Sequence, residues 1–128
     1  MTLLIRAELV PYYAQIQIGD PTAREYPQWG DGTEAVVATA SIIAVATRDD
    51  LSGTVWVDVW SGPIARPLRA LGSAVYEGML TAVGGLVIGN TAGGESYDVP
   101  QIARAVHHVR VFVSPQESAP DYVCFQLD

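Results

Sequence analysis

Apolar and polar residues alternate along most of this chain. The clearest stretch is residues 53–62, GTVWVDVWSG. Val55, Val57 and Val59 fall on one parity, and Trp56, Asp58 and Trp60 on the other. Successive side chains of a strand point to opposite faces, so the stretch predicts a strand with one aliphatic and one aromatic face. Both faces can be covered, which suits a central strand.

The same period runs through the rest. Residues 3–10 predict a first strand, broken by Pro11. Residues 12–18, YYAQIQI, separate Tyr12, Ala14, Ile16 and Ile18 from Tyr13, Gln15 and Gln17, as in a half-buried strand. Residues 19–32 hold two Pro and three Gly and predict a loop, which carries Tyr26 and Trp29. Residues 34–47, EAVVATASIIAVAT, are rich in β-branched side chains. They predict one long strand or two collinear strands, with a buried helix as the alternative. Residues 48–53 read as a hairpin loop leading into the central strand. Residues 63–71, PIARPLRAL, are a loop with two Pro. Residues 72–81 alternate again, and Gly84-Gly85 marks a hairpin turn before 86–88. Residues 89–96 read as a mobile loop and 97–100 as a short extended piece. In 102–114, His107, Val109, Val111 and Val113 share one face, and His108, Arg110 and Phe112 the other. Val123, Phe125 and Leu127 share a face of the last strand, 122–127.

The sum is seven to nine strands and no long amphipathic helix. That predicts an all-β fold, an antiparallel β-sandwich in one domain over residues 1–128, with barrel-like closure as a variant.

Composition narrows the function. Charged residues make up 16% of the chain, below the roughly 25% of average domains. Fourteen acids face seven basic residues, all Arg, for a net charge of −7. Phosphate contacts need Lys or Arg, so nucleic acid is not expected as a direct ligand. The acidic balance suits a basic partner, or simply solubility. Cys124 is the only cysteine, which favours a reducing cytoplasm. Residues 1–10 lack the basic start of a signal peptide, and no apolar run reaches the roughly 20 residues of a membrane span. A membrane partner is therefore not expected.

Catalytic and metal chemistry find little support. His107 and His108 are neighbours on a predicted strand and point apart, so one metal ion cannot readily take both. Cys124 has no basic neighbour to stabilise a thiolate and reads as a packing residue. No nucleophile elbow or phosphate loop occurs, and no cofactor is expected. Asp58, between two Trp, is the one acid on an aromatic face. Arg110 is its expected partner. Six of the other acids gather in two loops. Asp20, Glu25, Trp29, Asp31 and Glu34 belong to the first, Asp49 and Asp50 to the second, and together they form the expected partner-binding surface.

The order of features resembles the ComJ-like family, inhibitors of the competence-associated DNA-entry nuclease. The aromatic-containing stretch 12–18 leads to Asp20 and a loop ending in Trp29. A small-residue stretch, 35–47, precedes Gly53 and the apolar strand 53–60. A Gly-led strand at 85–88 and an extended piece ending in Pro100 come before the last two strands. The likeness spans residues 12–127 and is one of pattern. The insertion 63–71 is this chain's own, and basic residues are sparse. The resemblance implies an all-β, non-enzymatic protein that binds and blocks a nuclease.

Three functions compete on these grounds. The first is an inhibitor or immunity-type protein for a basic partner, a nuclease or toxin. The second is a small-ligand binder or enzyme, with Trp56, Trp60, Tyr76 and Phe112 around a pocket made polar by Asp58 and Arg110. The third is a structural subunit that pairs edge strands with its copies.

Overall fold

The structure is a computed structural model that describes residues 2–92, 95–100 and 102–128. Ten strands run in chain order: β1 Thr2–Leu9, β2 Gln15–Gly19, β3 Val36–Ala38, β4 Ile42–Ala46, β5 Val55–Ser61, β6 Tyr76–Thr81, β7 Val87–Gly89, β8 Ser96–Asp98, β9 Val106–Ser114 and β10 Tyr122–Leu127. Among the described residues there is no helix. One sheet has the order β1-β5-β10-β9-β6 and the other β3-β4-β2-β7-β8. The two form an open sandwich and do not close into a barrel.

Period-two patterning builds the core. Val55, Val57 and Val59 are fully buried, and they pack with Val109, Val111, Val123 and Phe125 of the same sheet. Ile16, Ile18, Ile43, Val45 and Ile88 answer from the other sheet. His107 keeps the parity of Val109 and is buried with it. The faces of β2, β5, β9 and β10 are legible from alternation alone, whereas β4 is buried on both faces.

Several connections differ from expectation. Strands β5 and β10 run parallel, so the first sheet is mixed. The stretch 34–47 is neither one strand, a collinear pair nor a helix: β3 folds back on β4 as an antiparallel pair. Thr39 makes the reversal, since its hydroxyl accepts the N–H groups of Ser41 and Ile42 at 3.3 and 3.1 Å. Residues 48–54 and the Gly84-Gly85 turn do not close hairpins. Each carries the chain from one sheet to the other. The second strand starts at Gln15, so Tyr12 and Tyr13 lie outside it. The expected loop 89–96 falls partly outside the described residues, at 93 and 94.

The sandwich has two distinct ends. Leu9 pairs with Val55 and Trp56 with Tyr122, so β1 finishes where β5 and β10 begin; this is the upper end. Gly19 pairs with Val87 at the lower end. The loop 20–35 starts at the lower end and returns to the upper, where the Ala46 N–H donates to the Ala35 carbonyl at 2.9 Å. The loop 62–75 crosses the outer face of the first sheet, where Ile64 and Leu71 pack on Trp60, Tyr122 and Cys124.

Candidate functional site

Asp58 is fully buried. Its partner is Arg6, not Arg110. Strand β1 pairs with β5 so that Arg6 lies opposite Asp58. The Arg6 guanidinium donates Nε to Oδ1 at 2.7 Å and Nη2 to Oδ2 at 2.8 Å. The Tyr122 hydroxyl donates to Oδ2 at 2.6 Å, and Trp60 Nε1 at 3.2 Å. Four donors therefore surround one carboxylate. A bidentate arginine is the strong form of such pairing.

The network also fastens the loop above it. Arg6 Nη2 donates to the Arg66 carbonyl at 2.9 Å, and the Leu68 N–H donates to the Tyr122 hydroxyl at 3.1 Å. Burial, and then the hydrogen bond to Asp58, push the Tyr122 phenol well above its ordinary range. Burial, and then the Asp58 charge, push the Cys124 thiol up to about 12, which leaves it unreactive.

The expected aromatic pocket is not assembled. Trp60 packs with Tyr122, Cys124 and Phe112 beneath Ile64 and Leu71, while Tyr76 packs against the separate core between the sheets. Arg110 lies 3.6 Å from Glu77. His108 pairs with the same Glu77 at 2.7 Å. Among the described residues no three metal-ligating side chains gather.

The upper end differs in kind. Tyr13 and Ala14 have φ of 53° and 56°. Left-handed backbone costs an L-residue about 1–2 kcal/mol, so surrounding contacts must hold it. The Thr47 N–H donates to the Ala14 carbonyl at 2.9 Å, and the Tyr12 N–H to the Gln15 carbonyl at 3.3 Å. The rings of Tyr12 and Tyr13 meet edge to face with centroids 4.5 Å apart. They are 55% and 81% exposed. Pro11, Tyr12, Tyr13 and Ala14 border one groove with Asp49 and Asp50. Tyr13, Ala14 and Gln15 border the next with Trp29, Gly32, Ala46 and Thr47. The tyrosine turn is thus a ridge between an acidic groove and one holding Trp29.

The predicted binding residues divide. Trp29, Asp49 and Asp50 come to the ridge. Asp31 and Glu34 flank Gly32, which lines the Trp29 groove. Asp31 accepts the Thr33 N–H at 3.0 Å and the Thr33 hydroxyl at 2.7 Å, which hold its carboxyl below the usual range. Glu34 turns back onto its own loop and accepts the N–H groups of Gly30 and Gly32. Glu25 is exposed on the same loop. Asp49 is exposed and accepts the Ser52 N–H at 2.9 Å, which shapes the 48–54 connection.

Asp20 is the exception. It is buried at the lower end, where it accepts the Gly84 N–H at 3.0 Å and the Thr22 N–H and hydroxyl at 2.8 and 2.7 Å. Burial alone would raise its pKa, but these hydrogen bonds outweigh burial and lower it. It fastens the end of β2 to the connection between β6 and β7. The alternation turned Tyr12 inward and Tyr13 outward, but both stand exposed in a turn ahead of β2 that sequence reasoning missed. The signal available was Pro11, which ends the alternation ahead of them.

A two-sheet β-sandwich with a closed charge network on one face and an aromatic, acidic end defines the class of protein. Its fold is similar to that of ComJ from Bacillus subtilis, described as an inhibitor of the DNA-degrading activity of NucA. The two superpose with a TM-score of 0.66 over 98% of this chain and 96% of that one, at 14% sequence identity. No protein-family profile matches the chain, and no curated protein matches it in sequence.

Proposed function

We propose that this chain is a non-enzymatic inhibitor or immunity-type protein that binds a basic partner, such as a nuclease, and blocks its cleft. The observation that carries this reading is the meeting of Asp49 and Asp50 with exposed aromatic side chains at one end. Phosphodiester-binding clefts are lined with Lys and Arg, and carboxylates on a rigid frame complement them. The net charge of −7 adds long-range attraction to such a partner. The likeness of fold to a nuclease inhibitor supports the same reading. So does the Asp58 network, where the one carboxylate set among Trp side chains is closed off by protein donors. The contact surface consists of Trp29, Asp31, Asp49 and Asp50, with Glu25 and Glu34 on the same loop as Trp29. Asp20 stands apart from it.

Titration of the protein into a DNA-degradation assay with NucA tests this. Inhibition that disappears in the triple variant Asp31→Arg, Asp49→Arg, Asp50→Arg is the expected result. Equal inhibition by that variant removes the acidic surface from the account.

A further inference from the structure

We propose that the tyrosine turn is the anchor of this interface and occupies the place of stacked nucleotide bases in the partner's cleft. The proposal rests on the inhibitor reading above and assigns the chemistry of the contact. Four large apolar side chains stand exposed at the upper end: Val10 at 50%, Tyr12 at 55%, Tyr13 at 81% and Leu51 at 93%. Energetic anchors of protein interfaces are typically aromatic and central, with charges at their rim. Here the two tyrosines rise between grooves, and Asp49 and Asp50 wall one of them.

The turn is also preformed. Its backbone is left-handed at two successive residues and is pinned by hydrogen bonds to Thr47 and within the turn. The edge-to-face contact restrains both rings. An anchor already ordered before binding loses little entropy on docking.

The pairing of rings with carboxylates suggests what the surface copies. Clefts that hold single-stranded nucleic acid combine cations for the phosphates with flat apolar platforms for the bases. The ridge presents rings where bases stack, and Asp49 and Asp50 present negative charge where phosphates lie. A purely acidic surface would bind any polycation. The rings confer selectivity for a cleft built around nucleic acid.

NucA serves as the probe, with a fluorescent single-stranded oligonucleotide as its substrate. Tyr13→Ala and Tyr12→Ala are each expected to weaken inhibition by about thirtyfold or more, the range of an interface anchor. The loss should lie in faster dissociation, with the salt dependence unchanged. Tyr13→Trp keeps a ring and retains inhibition. Asp49→Asn with Asp50→Asn slows association and flattens the salt dependence. Tyr97→Ala, which removes an exposed ring on β8, has no effect. Melting curves matching the wild type show that each variant folds.

Inhibition that competes with the oligonucleotide supports the cleft assignment, and non-competitive inhibition overturns it. Full inhibition by both alanine variants, with loss on charge reversal, overturns the anchor and leaves the inhibitor reading standing. Failure of the wild type to inhibit NucA overturns both. A dimer that Tyr13→Ala dissociates, with inhibition unchanged, assigns the ridge to self-association and overturns the proposal.

Discussion

Asp58 and the Asp49-Asp50 pair are both carboxylates beside aromatic rings, yet they stand at opposite extremes. Asp58 is fully buried and receives four donors, from Arg6, Trp60 and Tyr122. Asp49 and Asp50 are exposed, and among the described residues only nearby Ser52 engages the Asp49 carboxylate. Aromatic company therefore does not mark a reactive acid. The number of protein donors already committed to a carboxylate decides whether it can serve anything else. Asp58 holds the fold and fastens the 62–75 loop, while the exposed pair is open to a partner.

The largest expected effect breaks this contrast at its buried side. Asp58→Ala strands the Arg6 guanidinium and frees the Tyr122 hydroxyl and Trp60 N–H beneath a covering loop. Removal of one partner of a buried pair costs about 3–5 kcal/mol. Urea unfolding should register that loss, with earlier proteolysis within 62–75. Asp49→Asn with Asp50→Asn should leave the urea midpoint where it is. Equal destabilisation by the two sets of changes would erase the distinction between a structural and an available acid.

Which parts could be seen beforehand follows from the range of the interactions. The inward faces of β5, β9 and β10 are set by a local period of two, so Val55, Val57, Val59, His107 and Val123 could be placed from their neighbours. The Arg6–Asp58 pair joins residues 52 apart, and Arg110, the acid's expected partner, lies two strands away on β9. No local pattern chooses between them. The parallel β5–β10 pairing is hidden in the same way. At 39–41 the signal was local but weak. Thr39 and Ser41 sit in a stretch whose composition favours continuous strand, and only the side-chain turn at Thr39 reveals the reversal. Of the candidate site, the acids could be listed but not located. Asp20 and Asp49 read alike in sequence and lie at opposite ends. The tyrosine turn was obscured by extending the alternation of β2 back past Gln15.

A smaller effect separates burial from burial with partners. His107 is 5% exposed, and its Nε2 has no hydrogen-bond partner among the described residues. Burial, opposed by a hydrogen bond to the Arg104 backbone, lowers its pKa from 6.5. As the pH falls through 6.5 the unfolded chain takes up a proton that the folded chain refuses. Stability is then lost progressively until the folded pKa is reached. Urea midpoints at pH 7.5 and 5.5 should therefore differ, and His107→Gln should narrow the difference. An unchanged difference assigns the pH dependence to other groups and leaves His107 neutral in its effect.

The smallest effect sharpens the exposed side, where backbone rather than side-chain pairing is at stake. Ala14 has φ of 56°. Glycine there removes a steric cost of about 1–2 kcal/mol, because no Cβ meets the neighbouring carbonyl. It also frees the unfolded chain, which opposes the gain by about 0.5–1 kcal/mol. The first term wins, so Ala14→Gly should raise stability by roughly 0.5–1 kcal/mol, whereas the same change in relaxed backbone lowers it by a similar amount. The sign of one measured midpoint shift thus decides whether the turn stores strain. A rise would mean that the fold holds the turn at Tyr13 and Ala14 against the preference of its own backbone. Strain stored at an exposed turn outside the core is what the binding role proposed for the ridge calls for.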